Sequence, residues 1–340
     1  MKNMKPGKIK LAFILILFMA ANTLKSFGQP ASLTREEMLQ YTSLWKGERF
    51  PDGRPKVPDN IIERMKFVTI TEAWSALKSM NDGGKEAVGA RRSVNYDFQY
   101  YGGFKQMNDN IICGRASTIH FMPFRPDMNA SIQDQGNKDG RSRGQYTWGI
   151  DQLQKGDVYV ANVCEGILDA SHVGDNLGTS IYTKTGNGAV IRGTVRDIDG
   201  NMKLEGFNFL VRDFRPEDNA SNMVMGINCP IQIGYVTVVP GDVVLAKRDG
   251  VVFIPPHLAQ ALVESSEKVR LRDVFAHAGV KAGRFTAQQA DGGFTPAMNT
   301  EFTQWLKDNI NNMAKFFDDP KAAPSPDLIK TFIKERESKP

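Results

Sequence analysis

The chain has 340 residues, with 43 Lys or Arg, 38 Asp or Glu, three cysteines and four histidines. Its formal charge of +5 is local: residues 1–28 hold five lysines and no acid, so the remainder balances at 38 of each sign and lacks the basic footprint of a nucleic-acid binder. Cys113, Cys164 and Cys229 are odd in number and far apart, which fits neither a disulfide framework nor a thiolate metal site, and each lies in an apolar run as a small core residue.

Residues 1–28 read as a targeting segment. Lys2, Lys5, Lys8 and Lys10 precede an apolar run from Leu11 to Ala21, and Ser26-Phe27-Gly28 forms a small-x-small site before Gln29. The run is short for a bilayer span, although Lys25 behind it leaves an uncleaved anchor as the alternative. The expectation is a signal peptide cleaved near Gly28/Gln29 and a periplasmic or secreted protein with no stable membrane insertion.

Beyond it, 29–60 reads as an N-terminal arm. A helix over 34–46 opens on a capping box, Thr34 with Glu37, and Pro and Gly punctuate 50–58. A second helix is expected over 61–80, with Ile70, Trp74 and Leu77 on one face. Residues 95–101 alternate with aromatics, and 111–122 form a strand-rich core piece through Ile111, Ile112, Ala116, Ile119 and Phe121. The polar, Gly-rich stretch 125–143 reads as a surface insertion or a lid. Residues 148–153 lead into the turn Gly156-Asp157 and a strand over 158–163.

A Gly-Asp turn entering an apolar strand recurs at Gly241-Asp242, where the tight turn Asp249-Gly250 then returns the chain through 251–254. Helices are expected over 177–185, 256–275 and 299–317, the last with Phe302, Trp305, Leu306 and Ile310 on helical spacing. The tail 318–340 mixes a Pro-rich spacer with a short charged helix. There is no Gly-rich phosphate loop and no nucleophile elbow. His120, His172, His257 and His277 lack the pairing of a zinc site, and only His172, two residues before a Gly-Asp turn, is placed to matter.

The chemistry concentrates in 174–197, GDNLGTSIYTKTGNGAVIRGTVRD. A Gly-Asp-Asn-Leu turn opens a helix-length segment, a Gly-Asn-Gly break follows, and the apolar run Ala189-Val190-Ile191 ends on Arg196-Asp197. A strand ending in Arg beside Asp, with Asp175 at a helix start, brings a guanidinium and two carboxylates together. Arg grips a carboxylate with two parallel hydrogen bonds, and a carboxylate pair holds a hydrated divalent cation. The set suits a small 2-oxo acid, its carboxylate on Arg196 and its keto oxygen near a metal at Asp197. The same residues also read as a surface Arg-Asp pair behind a strand.

Gly174-Asp175-Asn176-Leu177, followed after the family spacing by Arg196-Asp197 within AVIRGTVRD, closely resembles the D-x20-R-D motif of the family that contains 4-hydroxy-4-methyl-2-oxoglutarate aldolase and the regulator of ribonuclease activity A, the RraA-like family. PGDVVLAKRDGVVFIP, 240–255, resembles a second block, and Cys113-Gly114-Arg115-Ala116 a third; the likeness covers 61–273. It implies an α/β fold, a swivelling β/β/α domain over 61–273, here with an N-terminal helical arm and a C-terminal helical extension over 274–340. It implies a homotrimer or homohexamer with sites between subunits. By the same resemblance Gly174, Asp175, Asn176, Leu177 and Arg196 bind the substrate, Asp197 holds Mg2+ or Mn2+, and Asp175 holds a metal-bound water. A Glu from a neighbouring subunit completes some family sites, with Glu264 and Glu267 as unassigned candidates. Lys247 stands where an acid is common, and the 125–143 segment exceeds the family's needs.

The implied activity is metal-dependent cleavage of a 4-hydroxy-2-oxo acid to pyruvate, and oxaloacetate decarboxylation by the same site, because both reactions leave pyruvate enolate and no lysine Schiff base is needed. The alternative is a non-catalytic binding or regulatory protein, set against the retention of both Asp175 and Asp197. A demethylmenaquinone methyltransferase, an old label for the family, lacks its Gly-rich cofactor loop here.

Overall fold

The computed structural model describes residues 32–80, 96–164 and 171–338, so the expected export segment lies outside the described residues. Helix α1 (Arg35–Tyr41) opens on the expected capping box, with Thr34 accepting from the Glu37 amide and Glu37 accepting from that of Thr34, but it ends at Thr42, short of the expected 46. The helix expected over 61–80 is two helices, α2 (Asp59–Met65) and α3 (Ile70–Ser79). The physical reason is a second capping box, Thr69 with Glu72, which starts a new helix in mid-segment.

The strands β1 (Tyr100–Tyr101), β2 (Lys105–Gln106) and β3 (Ile112–Pro123) come next. The segment expected as an insertion or lid folds as α4 (Pro126–Lys138), with Pro126 in its first turn and Asp127 at its positive end. It is docked on the core rather than loose: Ile132 and Gly136 are buried, Gly136 lies under the Trp148 ring, and the Trp148 indole donates to Ser142 O at 2.9 Å. After it come α5 (Trp148–Asp151), β4 (Asp157–Val163), β5 (Ser171–Val173), α6 (Asp175–Thr185), β6 (Ala189–Val195), α7 (Ile198–Asn201), β7 (Phe209–Phe214) and β8 (Asn222–Ile227). The hairpin β9 (Ile231–Ile233) and β10 (Val236–Val238) precedes β11 (Val243–Lys247) and β12 (Gly250–Ile254).

The main sheet runs β1-β12-β11-β3-β4-β6-β7-β2, with β5 on β6 and β8 on β3. Strands β3, β4, β6 and β7 are parallel neighbours, and β11–β12 is the antiparallel pair expected around Asp249-Gly250. Side chains alternate across a strand, so each strand feeds two cores. Val158, Val160, Val190, Val244 and Phe253 point to one face, where the β9–β10 hairpin covers them. Val243, Leu245 and Val252 point the other way, to α2 and α3, while Tyr159, Ala161 and Ile191 meet Trp148 and Ile181 on that side. The result is hairpin, sheet and helices in three layers, the expected β/β/α class.

Helix α8 (Ala259–Lys281) runs without a break from this core into the C-terminal helices, so residue 273 falls inside a helix. It carries Phe275 to a separate aromatic core with α10 (Pro296–Asn309) and α11 (Pro326–Glu337), past the short α9 (Ala287–Asp291). The Phe275 and Phe302 rings lie 5.2 Å apart and those of Trp305 and Phe316 4.9 Å, contacts worth ~0.5–1.5 kcal/mol each beyond their burial. Arg64 on α2 grips the buried Glu267 on α8 with two hydrogen bonds of 2.8 and 2.6 Å. Of the cysteines, Cys113 is buried and Cys164 and Cys229 are half-buried, and all three are free. Among the described residues no helix is long and apolar enough to cross a membrane.

Candidate functional site

Ligands of open α/β sheets gather at the carboxyl ends of parallel strands, and the residues singled out above lie there. Strands β5 and β6 run parallel, and the Arg196 amide donates to Val173 O at 2.9 Å, which seats residue 196 at the end of β5. Gly174 is the N-cap of α6, so the next residue, Asp175, stands in the helix's first turn, where free amides and the helix dipole favour negative charge. Asp175 Oδ1 accepts from the Asn176 amide at 2.9 Å; Asn176 is exposed, and Leu177 is half-buried against the core.

Asp197 adopts the left-handed conformation, φ +56° and ψ +45°, a strain of ~1–3 kcal/mol for a residue with a side chain. Buried Asn201 holds it there, its amide donating to Arg196 O at 3.2 Å and Asp197 O at 3.0 Å. The turn brings Asp197 Oδ2 so close to Gly174 that a Cβ on residue 174 would lie 2.4 Å from it. Gly200 stands likewise against Asp175, where a Cβ would lie 2.7 Å from Oδ2. Glycine at these two positions is what lets the motif's two halves touch.

Arg196 is half-exposed, its Nε 3.4 Å from Asp197 Oδ2, and its Nη1 donates to Asp218 on the β7–β8 connection. That connection is tied down at its base by Ser171 Oγ, which donates to Arg215 O at 2.8 Å. The Asn219 carboxamide lies 3.3 Å from His172 Nδ1, and His172 Nε2 lies 2.7 Å from the Tyr159 hydroxyl. With the Asn219 amide as donor, Nδ1 accepts and the Nε2 proton goes to Tyr159, an assignment that rests on the partners. The imidazole stacks on Tyr159 at 5.8 Å and meets the Phe121 ring at 4.6 Å, and burial pushes its pKa down to about 3. His172 is a neutral, fixed wall, unfit to shuttle protons near neutral pH.

All six predicted residues, Gly174, Asp175, Asn176, Leu177, Arg196 and Asp197, line one cavity of about 360 Å3, together with Tyr146, Ser171, His172, Asp218 and Asn219. Tyr146, Ser171, Asp218 and Asn219 were missed. Tyr146 lies three residues past the segment suspected as a lid, and Asp218-Asn219 sit in a polar loop with no spacing signal. Glu264 and Glu267 are not in this protomer's cavity: Glu264 bonds Gln260, and Glu267 is held by Arg64. Lys247, at the end of β11, does not line it either.

The donors available to a cation are carboxylate oxygens at Asp175, Asp197 and Asp218. Among the described residues no three His, Cys, Asp or Glu side chains are grouped closely enough to cage an ion. Such a sparse, all-oxygen set fits magnesium or manganese, which keep several waters and take one or two carboxylates. It does not fit zinc.

A family model described as RraA-like, Aldolase/RraA, matches residues 85–253. Protein DlpA of Legionella pneumophila strain Philadelphia 1 is 27% identical over 181 residues, which cover 53% of this chain and 27% of DlpA. The chain therefore spans only about a quarter of the curated relative it matches. Among solved structures, an uncharacterized protein from Pseudomonas syringae pv. tomato superimposes with a TM-score of 0.55 at 19% identity, over 72% of this chain and 98% of that one, and shows the same fold. RraAS2 of Streptomyces coelicolor, described as an unusual member of the RNase ES inhibitor RraA protein family, gives a TM-score of 0.49 at 24% identity, over 66% and 98%.

Proposed function

Since this chain is an RraA-like protein, in a family whose description joins aldolase with RraA, we propose that it is a carbon–carbon lyase that cleaves a 4-hydroxy-2-oxo acid to pyruvate and a second carbonyl compound. The observation that carries this reading is the convergence of Arg196, Asp197 and Asp175 on one cavity at the start of α6.

Arg196 binds the substrate carboxylate through its planar guanidinium, displacing the Asp218 carboxylate that occupies it. Asp175 takes the proton of the 4-hydroxyl, directly or through one water. The C3–C4 bond breaks, C4 leaves as a carbonyl, and the electron pair passes through C3 to the 2-oxo oxygen. The enolate formed is protonated at C3 to give pyruvate. Arg196 and the amides of the first turn of α6 offset the negative charge that develops. Asp197 would hold magnesium or manganese, with Asp175 ordering its hydration, and a cation bound there would draw charge from the 2-oxo group. His172, Tyr146 and Asn219 complete the cavity wall. Decarboxylation of oxaloacetate leaves the same enolate and falls to the same groups.

A second reading, a non-catalytic binding protein, draws support from Asp218, which fills the place of a substrate carboxylate on Arg196. Pyruvate release from a panel of 4-hydroxy-2-oxo acids, before and after dialysis against a chelator, separates the two. Metal-dependent release supports the lyase; none with any acid or metal overturns it.

A further inference from the structure

The cavity borders a second one. Tyr146 and Asn219 are also walls of an adjoining hollow of about 170 Å3, lined besides by Asn129 and Gln133 of α4, within the segment that exceeds the family pattern, and by residues 143–145. The hollow's polar lining is mostly carboxamide. Gln145 is committed within it, donating to Asn129 Oδ1 at 2.8 Å and accepting from the Val224 amide at 3.0 Å. Two neighbours are not: Asn219 Oδ1 and Asn222 Nδ2 are closed off from solvent with no hydrogen-bond partner among the described residues. A buried polar atom without a partner costs ~1–3 kcal/mol.

One of these atoms accepts and the other donates. A carboxylate can only accept and an ammonium can only donate, whereas a hydroxyl does both. The charges point the same way. Among the described residues Arg196 is the one cation lining the main cavity, against Asp175, Asp197 and Asp218, so a second carboxylate on the substrate would find repulsion there. Arg143 in the hollow is exposed and screened by solvent.

We infer that the hollow is a tail subsite and that, on the lyase reading above, the substrate is a 4-hydroxy-2-oxo monocarboxylate with a hydroxylated, uncharged tail, the class of the 3-deoxy-2-oxo sugar acids. Asn219 and Asn222 select the tail, and His172 acts as a positioning residue that fixes the Asn219 carboxamide. A site built to hydrogen-bond a hydroxyl rejects analogues lacking it far more strongly than an apolar pocket rejects a missing methylene.

The test compares three acids with magnesium: 2-oxo-3-deoxygluconate, methyl-tailed 4-hydroxy-2-oxopentanoate and dicarboxylic 4-hydroxy-4-methyl-2-oxoglutarate. The expected kcat/KM for the sugar acid exceeds both others by roughly tenfold or more. Asn222→Ala should erase most of that preference, with Asn219→Ala as the second variant should the first not fold. A dicarboxylate or methyl tail cleaved equally well, or a variant that slows all three acids alike, overturns the tail subsite. Should no acid be cleaved, the lyase reading fails separately. The subsite is then decided by calorimetry with gluconate and lactate: tighter gluconate binding lost in Asn222→Ala upholds it, and equal affinities overturn it.

Discussion

The guanidinium of Arg196 donates to the carboxylate of Asp218, which lies in the loop between β7 and β8 and so comes from a different part of the chain. A substrate carboxylate must take that place. Asp218 is 82% exposed, and an exposed pair contributes only ~0.2–1 kcal/mol. Asp218→Asn should therefore lower KM for a 2-oxo acid by roughly two- to fivefold with kcat little changed. Initial rates at saturating magnesium check this, and a raised KM would mean that Asp218 helps to bind substrate.

Arg196→Lys keeps the charge and loses the planar two-pronged contact, so kcat/KM should fall by roughly tenfold or more. Asp197→Ala should abolish metal binding along with pyruvate formation. Asp175→Ala should weaken metal binding less and still suppress turnover, since it takes the substrate proton and orders water rather than binding the ion. Calorimetry with manganese beside the kinetics distinguishes the three; unchanged metal affinity in Asp197→Ala would remove Asp197 from the metal site.

At Gly174 the backbone is extended, φ −101°, and would accept alanine, so the obstacle is side chains: Asp197 Oδ2 at 2.4 Å first, then Arg196 Nε at 3.2 Å. Gly174→Ala should push Asp197 from its place and reduce activity at least roughly tenfold, while the melting temperature drops by only a few degrees. A fully active, equally stable variant would show that the contact between the motif's halves is dispensable.

Asp242, at the turn before β11, is buried and accepts the Val239 amide at 2.8 Å. Burial raises its pKa to about 8, against roughly 3.9 in the unfolded chain. Between those values the folded form holds a proton that the unfolded form has lost. Its contribution to stability therefore declines as pH rises from about 4 to about 8 and levels off above, each tenfold displacement of that equilibrium being worth ~1.4 kcal/mol. Thermal melts of Asp242→Asn should show a shallower loss of stability over this interval. Parallel curves for the two proteins would mean that Asp242 is charged in the fold.

Export predicts that protein from the native host begins near Gln29. N-terminal sequencing that found Met1 intact in the cytoplasm would end that reading.

How much was legible follows from which interactions are local. Capping boxes span three residues, so Thr34 with Glu37 marks a helix start in the bare sequence; Thr69 with Glu72 was equally readable and was masked by the apolar face of 61–80 running through it. Strand alternation and the Asp249-Gly250 turn fixed β11 and β12 for the same reason. The Gly174 to Asp197 segment carried its six site residues because the βαβ unit that joins them is itself continuous in sequence, a strand end, a helix start and the next strand.

What folding decided are the contacts between segments that no spacing links. The Arg64–Glu267 pair, 203 residues apart, took a suspected site acid into the helix packing. Asp218 and Asn219 reached Arg196 and His172 only because β7 lies beside β6 in the sheet, which returns their loop over the cavity mouth. The 125–143 segment looked like a polar insertion because α4 buries little more than Ile132 and Gly136, too few apolar positions to show a helical stripe. Its place beside the site depends on Asn129 and Gln133 of α4 sharing a hollow with Asn219 and Asn222, a juxtaposition set by packing.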